Sequence, residues 1–406
     1  MKLTHAVSRR NFYALLWHAG FLAFARNFID VDTVIPAMLV DAGGTALQVG
    51  VLTAIMLGGS SFTQLLFAPF ISNYSYKRKF LLLGINSRIV ALLFMALMLY
   101  FSSWLQGEDK IILIFLLITV FSLGGAFANI SYTDIMGKSV LAEERKPFFS
   151  IRQVLTGSIL LGSVFIARKV LSASEFPVNY AYMFFIGFGS LLFASMGFWY
   201  LKEVIPSKMP VKGAKHFFRL VRGELKENRR LLYFLGFINT QGVAIAFLPF
   251  ITLYAKQNFD LQSMQTGNFL LFKVIGSVTT GLLLFALKGR FKYRKLLLVN
   301  VFLSVVIVML ILIMPGSPPF YLMFFIGGVI FATYSITMNG VLLEVSDTEN
   351  RALYTGITGA GNILPAVFPL AGGWLITQFG FTSFFVLFVI IILLSLYFIF
   401  NLKCKH

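Results

Sequence analysis

Twelve apolar runs, each about as long as a bilayer is thick, leave this chain few ways to fold. They fall at about 12–35, 46–71, 80–101, 111–137, 149–171, 180–201, 231–254, 264–287, 296–314, 320–343, 353–378 and 383–402. A helix needs about 20 predominantly apolar residues to cross the hydrocarbon layer, whereas a barrel strand needs only about 10, so the runs are expected to be spanning helices. Composition agrees. Only 12% of the 406 residues are charged and 58% are hydrophobic, with a mean hydropathy of +0.83. A soluble domain carries roughly 25% charged residues, so this surface must face lipid.

Charge then orients the spans. With the N-terminus assigned to the cytoplasm, the N-terminus, even-numbered loops and C-terminus together hold 26 of the 34 Lys and Arg. Such asymmetry predicts that both termini are cytoplasmic. The net charge of +18 is thereby absorbed as a topological signal, and no nucleic-acid partner is expected. The basic N-terminus runs on into Arg26 and Asp30 without a small-residue cleavage pattern, so it reads as the first span. The long polar stretch 202–230 carries nine Lys and Arg with three Glu. It divides the chain into an N-terminal six-helix bundle (1–201), a basic cytoplasmic central loop and a C-terminal six-helix bundle (231–406). Within it, "HFFRLVRGELKENRR" fits either an amphipathic helix on anionic lipid or a solvated tether.

The halves repeat. "VIPAML" (34–39) matches "FLPFITL" (247–253), aligning Pro36 with Pro249. "QVGVLTAIMLGGS" (48–60) matches "QTGNFLLFKVIGS" (265–277), and "RKFLLL" (78–83) matches "RKLLLV" (294–299). All three pairs share an offset of 213 to 217 residues in the same order, which argues for two related bundles. Parallel repeats of this kind suit alternating access about a central site.

With these features the sequence resembles the major facilitator superfamily over nearly its whole length. The resemblance rests on the six-plus-six layout, on the basic loops "NYSYKRKFLLLG" and "RFKYRKLLLVN", and on "ENRALYTGITGAGNILPAVFPLAGG" leading into span eleven. In the first basic loop only Lys77, Arg78 and Lys79 match the family pattern. Pro69, Asn73, Tyr74 and Tyr76 stand where its Gly and Asp-Arg elements are usual. The Gly-Pro pattern of drug antiporters is missing from span five. The resemblance implies a cavity lined by spans 1, 2, 4, 5, 7, 8, 10 and 11.

Ionisable groups inside a span cost at least ~2.5 kcal/mol on insertion scales, which makes each a functional candidate. Arg26 and Asp30, spaced i, i+4 in span one, are expected to share a helix face and neutralise one another. Asp30 is the proton-carrier candidate, with Arg26 and Asp32 beside it; Asp32 itself is expected near the outer surface, in water. Lys273, at the middle of span eight, has no acidic neighbour within two turns. It is expected either to pair with Asp30 or Asp32 across the bundle interface or to await an anionic substrate or a proton. Its charge tilts the expected solute toward anions.

Arg88, midway along span three, is expected to pair with Asp134. Lys77, Arg78, Lys79, Arg152, Arg294 and Glu344 are expected in gating or structural charge clusters at the inner face. Uncharged substrate candidates are His18, Asn129, Asn239, Gln241 and Asn362, each of which could instead bridge helices. Of these, His18 is the side chain whose ordinary titration lies near neutrality.

"MGKS" (136–139) lacks the earlier glycine of a phosphate loop, because Tyr132 stands there. Four scattered histidines (His5, His18, His216, His406) suggest no metal, and Cys404 alone precludes an intramolecular disulfide. No nucleophile–base pair appears, so neither enzyme chemistry nor a cofactor is expected. The sequence thus predicts an all-α, multi-pass protein of the plasma (bacterial inner) membrane, a monomer. It would move a small solute by alternating access, with proton coupling expected. Two alternatives stand beside that: a proton-driven exporter of cationic or lipophilic compounds using Asp30 and Asp32, and a non-transporting membrane sensor or assembly factor.

Overall fold

In the computed structural model the described residues are 3–72, 74–102, 105, 107–206, 222–226, 228–259, 261–287, 292–314, 316, 318–346, 354, 357–359 and 361–402. Among them there is no β-strand. Nine helical stretches are long and apolar enough to cross a membrane, and a shorter apolar helix covers Ala46–Gly59.

The first expected span is two helices. α1 (His5–Phe28) starts at Thr4, whose hydroxyl accepts the Val7 N–H at 3.4 Å. It stops at Ile29, which leaves helical geometry, and α2 (Val34–Asp41) resumes after a turn. Then follow α3 (Ala46–Ser72), α4 (Arg78–Tyr100), α5 (Gly107–Ser139), α6 (Ala142–Ala173) and α7 (Val178–Tyr200). Charges at the ends of α5 suit the helix dipole: Glu108 and Asp109 in the first turn, Lys138 in the last.

The second half opens with α8 (Arg229–Gln241), a 3₁₀ segment over Gly242–Ala246 and α9 (Leu248–Phe259). The seventh expected span is therefore interrupted, just as the first is, upstream of the aligned prolines Pro36 and Pro249. α10 (Ser263–Ala286), α11 (Tyr293–Ile313), α12 (Phe320–Val345) and α13 (Leu364–Asn401) complete the chain. α13 is not straight. Gly380 has φ 78°, a conformation that disfavours any residue with a Cβ. The Phe368 and Phe388 ring centroids are 6.3 Å apart. On a straight helix a 20-residue separation spans about 30 Å. The chain therefore reverses at Gly380, and the two arms correspond to the eleventh and twelfth apolar runs.

The residues cluster into two compact units: Met1–Asp30 with Asp41–Gly43 and Gly59–Ala214, and Val31–Val40 with Gly44–Gly58 and Lys215–His406. α2 and the first half of α3 thus pack with the C-terminal half of the sequence, and α3 is divided between Gly58 and Gly59. In the first unit α4 packs on α5 and α7, and α1 on α6 and α7. In the second, α10 lies against α12, and α13 against α8 and α11. Rings of Phe247, Phe250, Phe384, Phe385 and Phe388 stack in its core. Of the central loop, 207–221 lie outside the described residues, and with them most of the expected amphipathic helix; 222–226 are helical.

Candidate functional site

Lys273 sits where α10 crosses α12. A Cβ at Gly328 would collide with the Lys273 carbonyl, so only glycine lets the two backbones meet there. The lysine is buried, with 8% of its surface exposed, and its Nζ lies 2.5 Å from Oδ2 of Asp32, itself only 4% exposed. The Asp32 backbone is held as well, because the Thr252 hydroxyl donates to its carbonyl at 2.9 Å. Both partners belong to the second unit.

This corrects one expectation and decides between two others. Asp32 is not solvated near the surface. It pairs with Lys273 because the break after Phe28 lets residues 29–33 turn away from the α1 axis. The same break undoes the expected Arg26–Asp30 pair: i, i+4 adjacency requires an unbroken helix, and no ion pair joins them. Asp30 lies half-buried just beyond the end of α1.

A second charge cluster occupies one end of the first unit. Lys77 Nζ lies 3.2 Å from Asp134 Oδ1, Lys138 Nζ 2.7 Å from Asp134 Oδ2, and Lys138 Nζ 2.8 Å from Glu203 Oε1. Glu203 also accepts the Lys77 and Arg78 backbone N–H groups at 2.8–2.9 Å, covering donors that α4 leaves open at its start. The Arg78 guanidinium donates to the carbonyls of Phe198 and Trp199. Lys79 is exposed. Asp134 is therefore engaged by two lysines, and the expected Arg88–Asp134 pair does not form. Lys138 and Glu203 are members that sequence reasoning missed. Lys138 was hidden in the "MGKS" stretch and Glu203 in the central loop, although a carboxylate directly after a span end is a fair signal for an inner-face partner.

Three arginines stand apart from these pairs. Arg88 Cζ lies 4.2 Å from the centre of the Phe121 ring, and its buried Nε has no hydrogen-bond partner among the described residues. Arg152 Cζ lies 5.9 Å from the Tyr132 ring, and its Nη1 is 3.8 Å from the Met136 sulfur. Arg26 is accessible. All belong to the first unit, as does His18, which stacks on Phe198 at 3.8 Å and contacts the Ala194 carbonyl through Nδ1 at 3.3 Å.

The uncharged candidates divide. Asn239 donates to the carbonyls of Leu235 and Gly361 at 2.9 and 2.7 Å and accepts the N–H groups of Ile363 and Leu364 at 3.0 and 2.8 Å. It is spent on holding the start of α13. Gln241 is fully buried, donating to Ser304 Oγ at 3.4 Å and accepting from Ser395 Oγ at 3.2 Å. Asn129 is exposed, and Asn362 keeps a buried Oδ1 without a partner among the described residues. Toward the second unit's charged end, Arg230 lies 3.9 Å from Glu344, while Arg294 is exposed with Cζ 5.1 Å from the Phe400 ring.

Comparison with known proteins fits this architecture. The family model described as Major Facilitator Superfamily matches residues 16–364. The chain belongs to the major facilitator superfamily. Among solved structures, the nucleoside transporter NupG superposes with a TM-score of 0.64 at 14% identity, covering 97% of this chain and 98% of that one. A POT family transporter in complex with a thioalcohol-conjugated peptide gives 0.67 at 13%, covering 97% of each chain. The xylose transporter XylE from E. coli, in an inward open conformation, gives 0.63 at 12%, covering 95% of each. No curated protein matches in sequence. As a member of this superfamily the protein is an integral, multi-pass membrane transporter of small solutes.

Proposed function

We propose that the protein is a secondary active transporter that carries a small anionic solute across the cytoplasmic membrane by alternating access. In this reading twelve spans form two six-helix bundles, 1–201 and 231–406, joined by the basic cytoplasmic loop, with both termini inside and a monomer as the working unit. The Lys273–Asp32 pair carries the proposal. It is buried, and it ties α10 to a segment of the N-terminal half that packs with the second unit. Buried pairs add little net stability, yet breaking one singly is costly, which suits a contact that is made in one state and released in another. Asp30, at the helix break, is the proposed proton carrier.

The anionic preference shifts its basis. Lys273 is neutralised by Asp32, so the cation excess that favours an anion is the set Arg26, Arg88 and Arg152. Export of cations through Asp30 and Asp32 is less well supported, because the Asp32 carboxylate is already engaged.

The test is exchange in proteoliposomes. Lys273→Met is expected to abolish uptake at normal expression, and the charge-reversed double variant D32K/K273D to restore a measurable part of it. Wild-type rates in Lys273→Met would defeat the proposed role of the pair.

A further inference from the structure

We infer that a groove on the surface of the first unit, between α1, α6 and α7, binds an anionic phospholipid, with an acyl chain in the groove and the phosphate on Arg9 and Arg10. The inference goes beyond transport and does not depend on which solute the protein carries.

Helix packing builds the groove. α1 forms one wall with Tyr13, Trp17, Phe21 and Phe24, which recur every three or four residues and so share a face. α7 forms the other with Ile186, Gly189 and Phe193, and Leu155 and Ile159 of α6 complete the lining. The walls are tied together, because the Trp17 indole N–H donates to the Phe193 carbonyl at 2.7 Å and the Phe21 and Phe193 rings stack at 5.6 Å. Two glycines shape the space between them. A Cβ at Gly20 would lie 3.3 Å from Ile159 Cδ1, so α1 and α6 sit close there, whereas one at Gly189 would meet nothing within 4 Å. Ser190 also lines the groove, but its hydroxyl donates back to the Ile186 carbonyl at 2.7 Å and leaves no unmet donor. The cavity holds about 680 Å³, within the roughly 300–1,000 Å³ of ligand clefts. Tyr13, Trp17 and Phe193 are exposed, so it opens at the surface.

Length and charge indicate what covers it. From Tyr13 to Phe24 the helix rises about 16 Å, close to half of the ~30 Å hydrocarbon core. The groove therefore spans the acyl region of one leaflet. At its Tyr13 end Trp199 and Tyr200 are both exposed, as aromatic side chains at headgroup level are. Arg9 and Arg10 lie one turn before Tyr13 on the same helix, just beyond the apolar lining. Arg9 is exposed. Arg10 is held in place, with Cζ 3.9 Å from the centre of the Tyr200 ring and Nε donating to the Tyr200 carbonyl at 2.8 Å. Its two terminal nitrogens have no acceptor among the described residues. Lys202 is exposed at the same end, where its backbone is bonded to the Asn11 amide at 2.9 Å. The nearby acids are Glu143 and Glu144 at the start of α6, and Glu203. Glu144 accepts the Ser8 hydroxyl, and Glu203 is engaged by Lys138 and by the start of α4. Among the described residues no carboxylate pairs with Arg9, Arg10 or Lys202.

Bulk lipid covers any apolar surface without preference for its headgroup. A cleft one leaflet deep, with two arginines at its headgroup end, is selective. The guanidinium fork matches phosphate oxygens two at a time. Each cation near the surface adds about a fivefold gain in affinity for anionic lipid. A zwitterionic lipid carries its own cation beside the phosphate and gains less. The acyl chain and the phosphate thus find complementary surfaces at the separation that one phospholipid gives them.

Native mass spectrometry and thermal shift of the purified, delipidated full-length protein test the site. The probes are phosphatidylglycerol, phosphatidylcholine with the same acyl chains, and glycerol phosphate, which has the charge but no chain. Phosphatidylglycerol is expected to bind one saturable site at least about tenfold more tightly than phosphatidylcholine. Glycerol phosphate is expected to give no shift. Gly189→Phe fills the groove from a position surrounded by open space, and it is expected to lose that site. Gly189→Leu does the same with a smaller side chain and covers the case in which the phenylalanine variant does not fold. R9Q/R10Q is expected to bind both lipids alike, whereas K169Q, at the exposed far end of α6, is expected to behave as the wild type. Equal binding of the two lipids by the wild type, unchanged phosphatidylglycerol affinity in both Gly189 variants, or equally tight binding of glycerol phosphate would overturn the inference. So would a lipid-free dimer that Gly189→Leu dissociates, since a second copy would then occupy the groove.

Discussion

Asp32 and Lys273 show how differently two charges in one sequence can be read. Lys273 was legible, since a lysine at midspan with no acid on its own helix must find a partner elsewhere. Asp32 was not. Its neighbourhood depends on Ile29 leaving helical geometry, and nothing in "FARNFIDVD" marks that residue as a stop. A wheel drawn through residues 26–32 as one helix therefore pairs Arg26 with a carboxylate that lies beyond the end of its helix. Energetically the pair should behave asymmetrically. Asp32→Leu alone strands a buried ammonium and is expected to cost about 3–5 kcal/mol, whereas D32L/K273M should recover most of that, because apolar replacement of both partners is often neutral. Chemical denaturation of the detergent-solubilised variants would measure the difference. Asn239 offers the complementary case. Its amide is occupied by four backbone groups, so Asn239→Leu is expected to cost about 1–3 kcal/mol through the stranded amides at the start of α13. A fall in melting temperature with substrate affinity unchanged would separate that structural role from solute binding.

Helices were read well by their length and poorly at their interruptions. The apolar runs at 80–101, 180–201 and 264–287 match α4, α7 and α10 to within about two residues, as long hydrophobic segments should. The breaks in the first and seventh spans escaped, since Asp30 and Asp32 in 28–33 read as charges carried on a continuing helix and Gly242–Ala246 has only a single glycine. The proline alignment between 34–39 and 247–253 held the hint, because each interruption lies just upstream of the aligned proline. At the α13 reversal the signal was a single glycine, Gly380. Gly380→Ala is expected to cost about 1–2 kcal/mol through its left-handed backbone, with no side-chain clash because open space surrounds the position. A lower melting temperature, with the solute site untouched, would confirm that the cost is local.

For the molecule as a whole, membership of the superfamily was legible from the six-plus-six layout, the basic loops and the internal repeat, while the partners of the buried charges were not. Arg88 and Arg152 were assigned to pairs and inner-face clusters because sequence shows which residues are charged and never which charges are already satisfied. Only three-dimensional accounting reveals that Asp134 serves two lysines and that Arg88 pairs with no acid among the described residues. Close packing makes a test possible at this scale. A Cβ at Gly50 would strike the Pro369 carbonyl, so Gly50→Leu should force the first half of α3 away from α13. In a C404S background, cysteine introduced at the buried Thr53 is expected to react faster with a water-soluble maleimide once Gly50 is enlarged. An unchanged labelling rate would show that the contact adjusts without opening.

α3 is one unbroken helix that belongs to two compact bodies, and its membership changes at a Gly58–Gly59 pair. A continuous ladder of backbone hydrogen bonds cannot be parted as a loop can. Paired glycines are where helices bend most readily, so α3 passes from one body to the other at its most pliant point.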